Sequence, residues 1–130
     1  MYSRVTRNIQ VTVEPQYLEE ESTPSENHYF WAYTIEIENL GEETVQLRSR
    51  CWEITDAHGR ISNVRGSGVV GEEPTLSPGA SFEYTSGCPL TTPSGIMAGN
   101  YQMQTKDGEF FTVMVPTFSL DIPDLLRVIN

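Results

Sequence analysis

A chain of 130 residues, 38% hydrophobic and 20% charged, has room for one domain with one core and the composition of a folded protein. Eighteen acids against eight bases leave a net charge of -10, which sets the chain against nucleic-acid backbones and anionic membranes. No apolar run nears the roughly 18 residues of a membrane span and no signal-peptide core opens the chain, so a cytoplasmic protein is expected.

Residues 4–14 alternate, with Val5, Ile9, Val11 and Val13 on one parity and Thr6, Asn8, Gln10, Thr12 and Glu14 on the other. That is one half-buried strand, stopped by Pro15. Residues 15–27 carry Glu19, Glu20, Glu21, Glu26 and Pro24 with little apolar beyond Tyr17 and Leu18; a mobile acidic loop is expected, and no helix. The second strand, 28–38, puts Tyr29, Trp31, Tyr33, Ile35 and Ile37 on its core parity. A turn at 39–43 leads to a third strand, 44–56. Pairing these two across the turn sets Ile37 opposite Val45, Ile35 opposite Leu47, Trp31 near Cys51 and Glu36 diagonal to Arg48. The apolar parity changes from odd (Val45, Leu47) to even (Trp52, Ile54), which predicts a β-bulge between Ser49 and Trp52.

Asp56, Gly59 and Arg60 mark a tight hairpin turn, followed by a short strand over 61–65. A three-glycine loop and a Ser-Pro-Gly turn lead to a strand at 81–86 with Phe82 and Tyr84 inward. Pro89, Pro93 and Gly95 predict a long connection. Strands over 101–105 and 110–117 form a hairpin about Lys106-Asp107-Gly108-Glu109. The last stretch, 121–130, allows one helical turn after Pro123. About seven short strands with no sustained helical period mean an all-β antiparallel sandwich in a single domain over 1–130.

Gly66, Gly68 and Gly71 satisfy G-x-G-x-x-G. That fingerprint binds phosphate by handing it to a helix N-terminus after a strand. Here Glu72, Glu73 and Pro74 follow instead, and the carboxylates repel an anion. The glycines therefore read first as a strand-to-strand crossover, with a backbone anion nest beside Arg65 as the alternative. Arg48, Arg50, Arg60 and Arg65 crowd the middle of the acidic chain and form either a local basic patch or ordinary surface ion pairs. His28 and His58 have no second ligand at metal-binding spacing, Glu19–Glu21 are no cage, and no Ser or Cys has the context of a nucleophile; no metal, cofactor or catalytic residue is expected. Cys51 and Cys88 allow one disulfide, and Cys51 beside Trp52 suits an immunoglobulin core, but without an export signal two reduced thiols are expected. Phe30 and Phe110 sit opposite the core parity and are candidates for an outer patch.

The series Gly66-x-Gly68-Val-Val-Gly71-x-x-Pro74, Leu76-x-Pro78-Gly79, Phe82-x-Tyr84-x-Ser86 and Gly95-x-Met97-x-Gly99-x-Tyr101-x-Met103 resembles the ApaG family. So do Tyr33-Thr-Ile35-x-Ile37-x-Asn39, Ser49-Arg50-x-Trp52 and the opening Arg4-x-Thr-Arg-Asn-Ile-x-Val-x-Val13. The resemblance spans nearly the whole chain. It implies an immunoglobulin-like or fibronectin type III-like sandwich, in a family linked to dinucleoside polyphosphate metabolism and to cobalt and magnesium efflux (hence the synonym CorD). In an F-box protein and a DNA-polymerase-delta-interacting protein the domain looks like a protein-recognition module. The family carries no catalytic residue to transfer. Cys51 stands where a His is usual in the family, which removes a candidate metal or proton-transfer group.

Two functions follow as expectations. One is a non-enzymatic protein-binding module working through Arg48, Arg50 and Arg65 around the glycine loop. The other is a regulator that binds a nucleotide or pyrophosphate through Gly66, Gly68 and Gly71. The oligomeric state is left open.

Overall fold

The computed structural model describes residues 1–123. Nine strands fill it: β1 (Tyr2–Thr6), β2 (Ile9–Tyr17), β3 (Tyr29–Asn39), β4 (Val45–Asp56), β5 (Ile61–Ser67), β6 (Thr75–Leu76), β7 (Ser81–Leu90), β8 (Gly95–Thr105) and β9 (Phe110–Leu120). They form two antiparallel sheets, ordered β1-β2-β3-β7 and β5-β4-β8-β9, with β6 also paired to β4. The expected all-β sandwich is therefore the fold. The helical turn expected after Pro123 lies outside the described residues.

The inner faces follow the alternation read from sequence. Val11, Val13, Ile35 and Ile37 from the first sheet meet Leu47, Tyr101, Met103 and Val113 from the second, all fully buried. Tyr33, Trp52 and Phe118 cluster between the sheets, with ring centroids 5.5–6.0 Å apart in tilted and edge-on contacts. Each such contact adds to area burial because ring edges meet ring faces. Trp31, deeply buried, satisfies its indole N–H on the Asp121 carbonyl at 2.9 Å.

Several expectations are corrected by the register. Residues 4–14 are not one strand: Arg7 and Asn8 take left-handed φ of 47° and 64° and turn β1 back on β2. A two-residue turn pairs odd residues with even ones, so the facing reverses through it: Tyr2 and Thr6 share the face of Val13 and Ile9, and Val5, expected with the core parity, is 53% exposed. Pro15 does not stop β2. Even-numbered residues of β2 face β3, as the Leu18 amide to the Phe30 carbonyl at 2.9 Å fixes. Pro15 therefore turns its missing N–H to the other edge, past the end of β1, where no ladder needs it. Beyond β2, Glu19–Glu21 and Pro24–Glu26 are single 3₁₀ turns. The Ser22 hydroxyl donates to the Leu18 carbonyl and accepts from the Phe30 amide.

β3 and β4 do not pair with each other. The 39–43 turn carries the chain from one sheet to the other, so Ile37 lies beside Val11 and Phe82, Leu47 beside Met103, and Trp31 beside Cys88. Glu36 is opposite Glu83, and Arg48 pairs with Glu73 instead. The long connection expected at Pro89–Gly95 shrinks to residues 91–94, because β7 and β8 run further than their aromatic cores suggested. In β7 the even residues bond to β3, so Pro89 faces the free edge. The Asp56–Arg60 and Lys106–Glu109 turns form as expected, with Gly59 and Gly108 at φ of 82° and 89°.

The sheet-to-sheet corner is held by Asn39, which is 1% exposed. Its amide nitrogen donates to the Glu43 and Leu76 carbonyls at 2.8 and 3.0 Å, and its oxygen accepts from the Gly41 amide. Corner backbone has no strand partner, so a side chain must satisfy it. Asn39→Ala orphans these groups and is expected to cost about 2 kcal/mol or more. Thermal melting should show a fall of roughly 5–10 °C; a parent-like melting curve contradicts this role for Asn39.

Candidate functional site

The bulge in β4 decides where the arginines point. The register against β8 shifts between Leu47 and Ser49, placing the extra residue at Arg48, slightly before the expected position. Before it Val45 and Leu47 face the core; after it Arg50 and Trp52 do, with Arg50 opposite the buried Tyr101. Arg48, left on the surface, meets Glu73 at 3.3 Å and donates to Gln46.

Arg50 lies over Gly66. A Cβ there would come within 2.9 Å of the guanidinium, so the missing side chain is what lets it settle. Its Nη1 donates to the carbonyls of Ser67 and Gly68 at 3.1 and 3.0 Å. The Gly68 amide donates to the Arg48 carbonyl, and Val69 and Glu72 exchange two backbone bonds across Val70 and Gly71. Val70 and Gly71 take φ of 43° and 81°, and Gly68 takes 60° with no room for a Cβ beside the Glu72 carbonyl. A left-handed valine is costly, so the turn is held by its surroundings. Three loop amides (Gly68, Val69, Glu72) are thus engaged inside the fold, and the chain leads on to β6 with no helix.

Two openings adjoin this arginine. On the outer face of the second sheet, Ser49, Cys51, Arg65, Ser67, Asn100 and Gln102 line a groove of about 520 Å³ that also touches Arg50 and Gly66. Between the sheets, Tyr33, Trp52, Tyr84, Ser86 and Arg50 line a pocket of about 170 Å³ beneath Val69–Gly71. Among the described residues the ion pairs engage Arg7, Arg48 and Arg60; Arg50 and Arg65 make none. Of the site residues expected from sequence, Gly66, Arg50 and Arg65 converge, Gly71 closes the inner pocket, Gly68 anchors the loop, and Arg48 stands apart. Asn100 and Gln102 were not singled out, although their outward parity on β8 was there to read. Ser86 gave no signal in the sequence.

Burial dominates the titration of this region. Tyr84 and Tyr101 share a hydrogen bond of 2.6 Å, and loss of solvent raises both phenols above their ordinary range. Burial also raises Tyr33, against the opposing effects of Ser86 and the Arg50 charge. The Cys88 thiol is pushed up to about 11 by burial. Cys88 and Cys51 are both unlinked, the first in the interior and the second on the outer face. The two histidines do not enter the site: His28 bridges to Thr23 and His58 sits in the β4–β5 turn. Among the described residues no group of three or more His, Cys, Asp or Glu side chains gathers as a metal site. Phe30 and Phe110 lie on the outer faces of different sheets, so they form no joint patch; the Phe30 ring fills the space where Gly87 lacks a side chain.

Residues 19–105 match the family model of the ApaG domain. The chain belongs to the ApaG family. Proteins named ApaG from Xanthobacter autotrophicus and Brucella anthropi are 58% and 62% identical to it over 130 residues, covering the whole of both chains. The crystal structure of the ApaA protein from Bordetella pertussis is 48% identical, with a TM-score of 0.86 over 88% of this chain and 94% of that one. No helix of the described residues is long and apolar enough to cross a membrane.

The glycines should rank by geometry. Gly68→Ala meets both a left-handed φ and the Glu72 carbonyl, and is expected to cost more than the roughly 1–2 kcal/mol of the conformation alone. Gly71→Ala has open space and should cost about 1 kcal/mol. Denaturant titrations that reverse this order contradict the geometry. For pH, the folded Cys88 holds its proton more tightly than the unfolded thiol. Its stabilisation is complete below the ordinary value of 9.0 and is lost as pH rises through about 11. Cys88→Ala should therefore show a shallower alkaline loss of stability than the parent; identical pH profiles refute this.

Proposed function

We propose that this ApaG-family chain is a non-enzymatic cytoplasmic binding module that takes an extended, acidic segment of a protein partner along β5. The observation that carries the reading is a coincidence on one strand. β5 pairs with β4 alone, and the Gly68 amide to Arg48 and Asp56 amide to Arg60 bonds fix its even residues toward β4. Ile61, Asn63, Arg65 and Ser67 therefore turn their amides and carbonyls to a free edge. The same four residues carry their side chains onto the outer face, where Arg65 and Ser67 line the groove.

A segment added to that edge gains main-chain hydrogen bonds for affinity and alternate side-chain positions for specificity. Among the described residues no carboxylate lines the groove, so acids on the added strand face Arg65 without a described competitor inside it. Glu53, opposite Asn63 on the same face, makes no ion pair. Exposed Ile61 and Val64, at 58% and 40%, offer apolar contact on either side of the strand. The engaged amides of the glycine loop disfavour a phosphate cradle there. Cys51 in the groove has no histidine among its lining neighbours, which argues for binding over nucleophilic chemistry.

The test uses a blocked peptide of about eight alternating Glu and Val residues, titrated by NMR at low salt. Weak binding to the parent should fall about tenfold in Arg65→Gln, the loss of one good charged contact. Asn63→Pro removes an outward N–H without touching the β4 ladder, so it should weaken binding as much while leaving the melting temperature near the parent's. Binding unchanged in both variants overturns the reading. ATP or a diadenosine polyphosphate binding more tightly than the peptide turns it toward the nucleotide alternative.

A further inference from the structure

Arg50 is half-buried and has no carboxylate partner among the described residues. A charge withdrawn from water is costly unless it is compensated. Among the described residues only Nη1 is engaged, by the Ser67 and Gly68 carbonyls, and no acceptor among them takes the donors on Nη2 and Nε. The fold nevertheless holds this guanidinium firmly. The β4 bulge turns it inward, Gly66 makes room for it, and the left-handed Gly68 presents a carbonyl to it. A stabilising role would be served as well by an apolar side chain facing Tyr101. The arrangement keeps a fixed cation at the mouth of the inter-sheet pocket.

The remaining lining suits an anion. Tyr33 and Ser86 bring hydroxyls, Trp52 and Val69 bring apolar walls, and among the described residues no Asp or Glu lines it. At about 170 Å³ the pocket is below the roughly 300–1,000 Å³ of drug-sized ligands, so it takes a single group and not a whole nucleotide. We infer that this pocket is a binding site for a small oxyanion, a phosphate or carboxylate group, gripped by Arg50 with the hydroxyls of Ser86 and Tyr33. The Val69–Glu72 turn is its cover: Val69 is fully buried while Val70 projects to solvent, so an anion enters beside the left-handed turn. In this account the three glycines serve anion binding indirectly, by seating the arginine, and not as a backbone cradle. The site is distinct from the β5 edge. The groove reading rests on Arg65 and outward backbone, the pocket on Arg50 and the inner hydroxyls.

Inorganic phosphate and acetate, each titrated against chloride at matched ionic strength, test the inference. In an isotope-labelled sample the expected response is confined to the amides of residues 66–72 and to Tyr33, Tyr84 and Ser86. Arg50→Gln should lose at least about tenfold in affinity, since charge-assisted bonds are the strong ones, and Ser86→Ala several-fold. Arg65→Gln should bind as the parent does. Should Arg50→Gln not fold, Ser86→Ala and Tyr33→Phe carry the comparison. Preference for phosphate names a phosphate group, and equal response to acetate names a carboxylate; either supports the pocket. The inference is overturned if neither ion moves these signals up to about 50 mM, if the response survives in Ser86→Ala and Tyr33→Phe, or if Arg65→Gln alone abolishes it. Loss of peptide binding in Asn63→Pro with the phosphate response intact separates the fate of the two sites.

Discussion

Moving the chain from one sheet to the other at Asn39 is the constraint on which the molecule turns. A β3–β4 hairpin would have kept both strands in one sheet and left Trp52 and Arg50 beside their sequence neighbours. Crossing over instead places β4 opposite β3, so that Tyr33 and Trp52 meet face to edge across the core. A buried corner must satisfy its backbone without a ladder; the Asn39 side chain does this for the 39–43 turn and β6, and its backbone bonds Gly79 and Ala80 ahead of β7. Everything described about the two openings presupposes that crossing.

The second organising element is the single inserted residue at Arg48. Period two makes the facing of a strand all-or-none, and one extra residue reverses everything after it. Here the reversal brings a cation inward and sends Ser49 and Cys51 outward into the groove. β5 then hangs past the first sheet with both faces wet, which explains why its residues are exposed throughout apart from Gly66. The groove and the pocket are therefore two sides of one local irregularity, with Arg50 touching both.

Much of this was legible in the residues. Alternation named the core of β2, β3 and β8, the parity switch announced the bulge, and Asp-Gly and Asp-x-x-Gly marked their turns. What alternation cannot report is which strands are neighbours. Val45 opposite Ile37 satisfies the hydrophobic pattern as well as Val45 opposite Thr105, and the choice is made by the corner at Asn39. Nor does alternation reveal a turn with only one apolar residue, Val5, before it; nothing in the pattern showed that Val5 faces away from Ile9 and Val11, and Arg7–Asn8 hid within an apparent strand. For the site, the arginine cluster was visible, but the inward aim of Arg50 depends on where the bulge falls to within one residue. Tyr33 and Ser86 come to it from the other sheet, beyond the reach of any local pattern.

Two of the three prolines inside strands, Pro15 and Pro89, bear on how the chain keeps from assembling with itself. Pro15 in β2 and Pro89 in β7 each turn a nitrogen that cannot donate toward the rim of the first sheet. A copy approaching that rim meets a gap where the next rung should form, so lateral growth into a fibre is interrupted at both places. β5 has no such proline. Its rim is a long strand edge left uninterrupted, kept from indiscriminate stacking by the excess negative charge of the whole molecule.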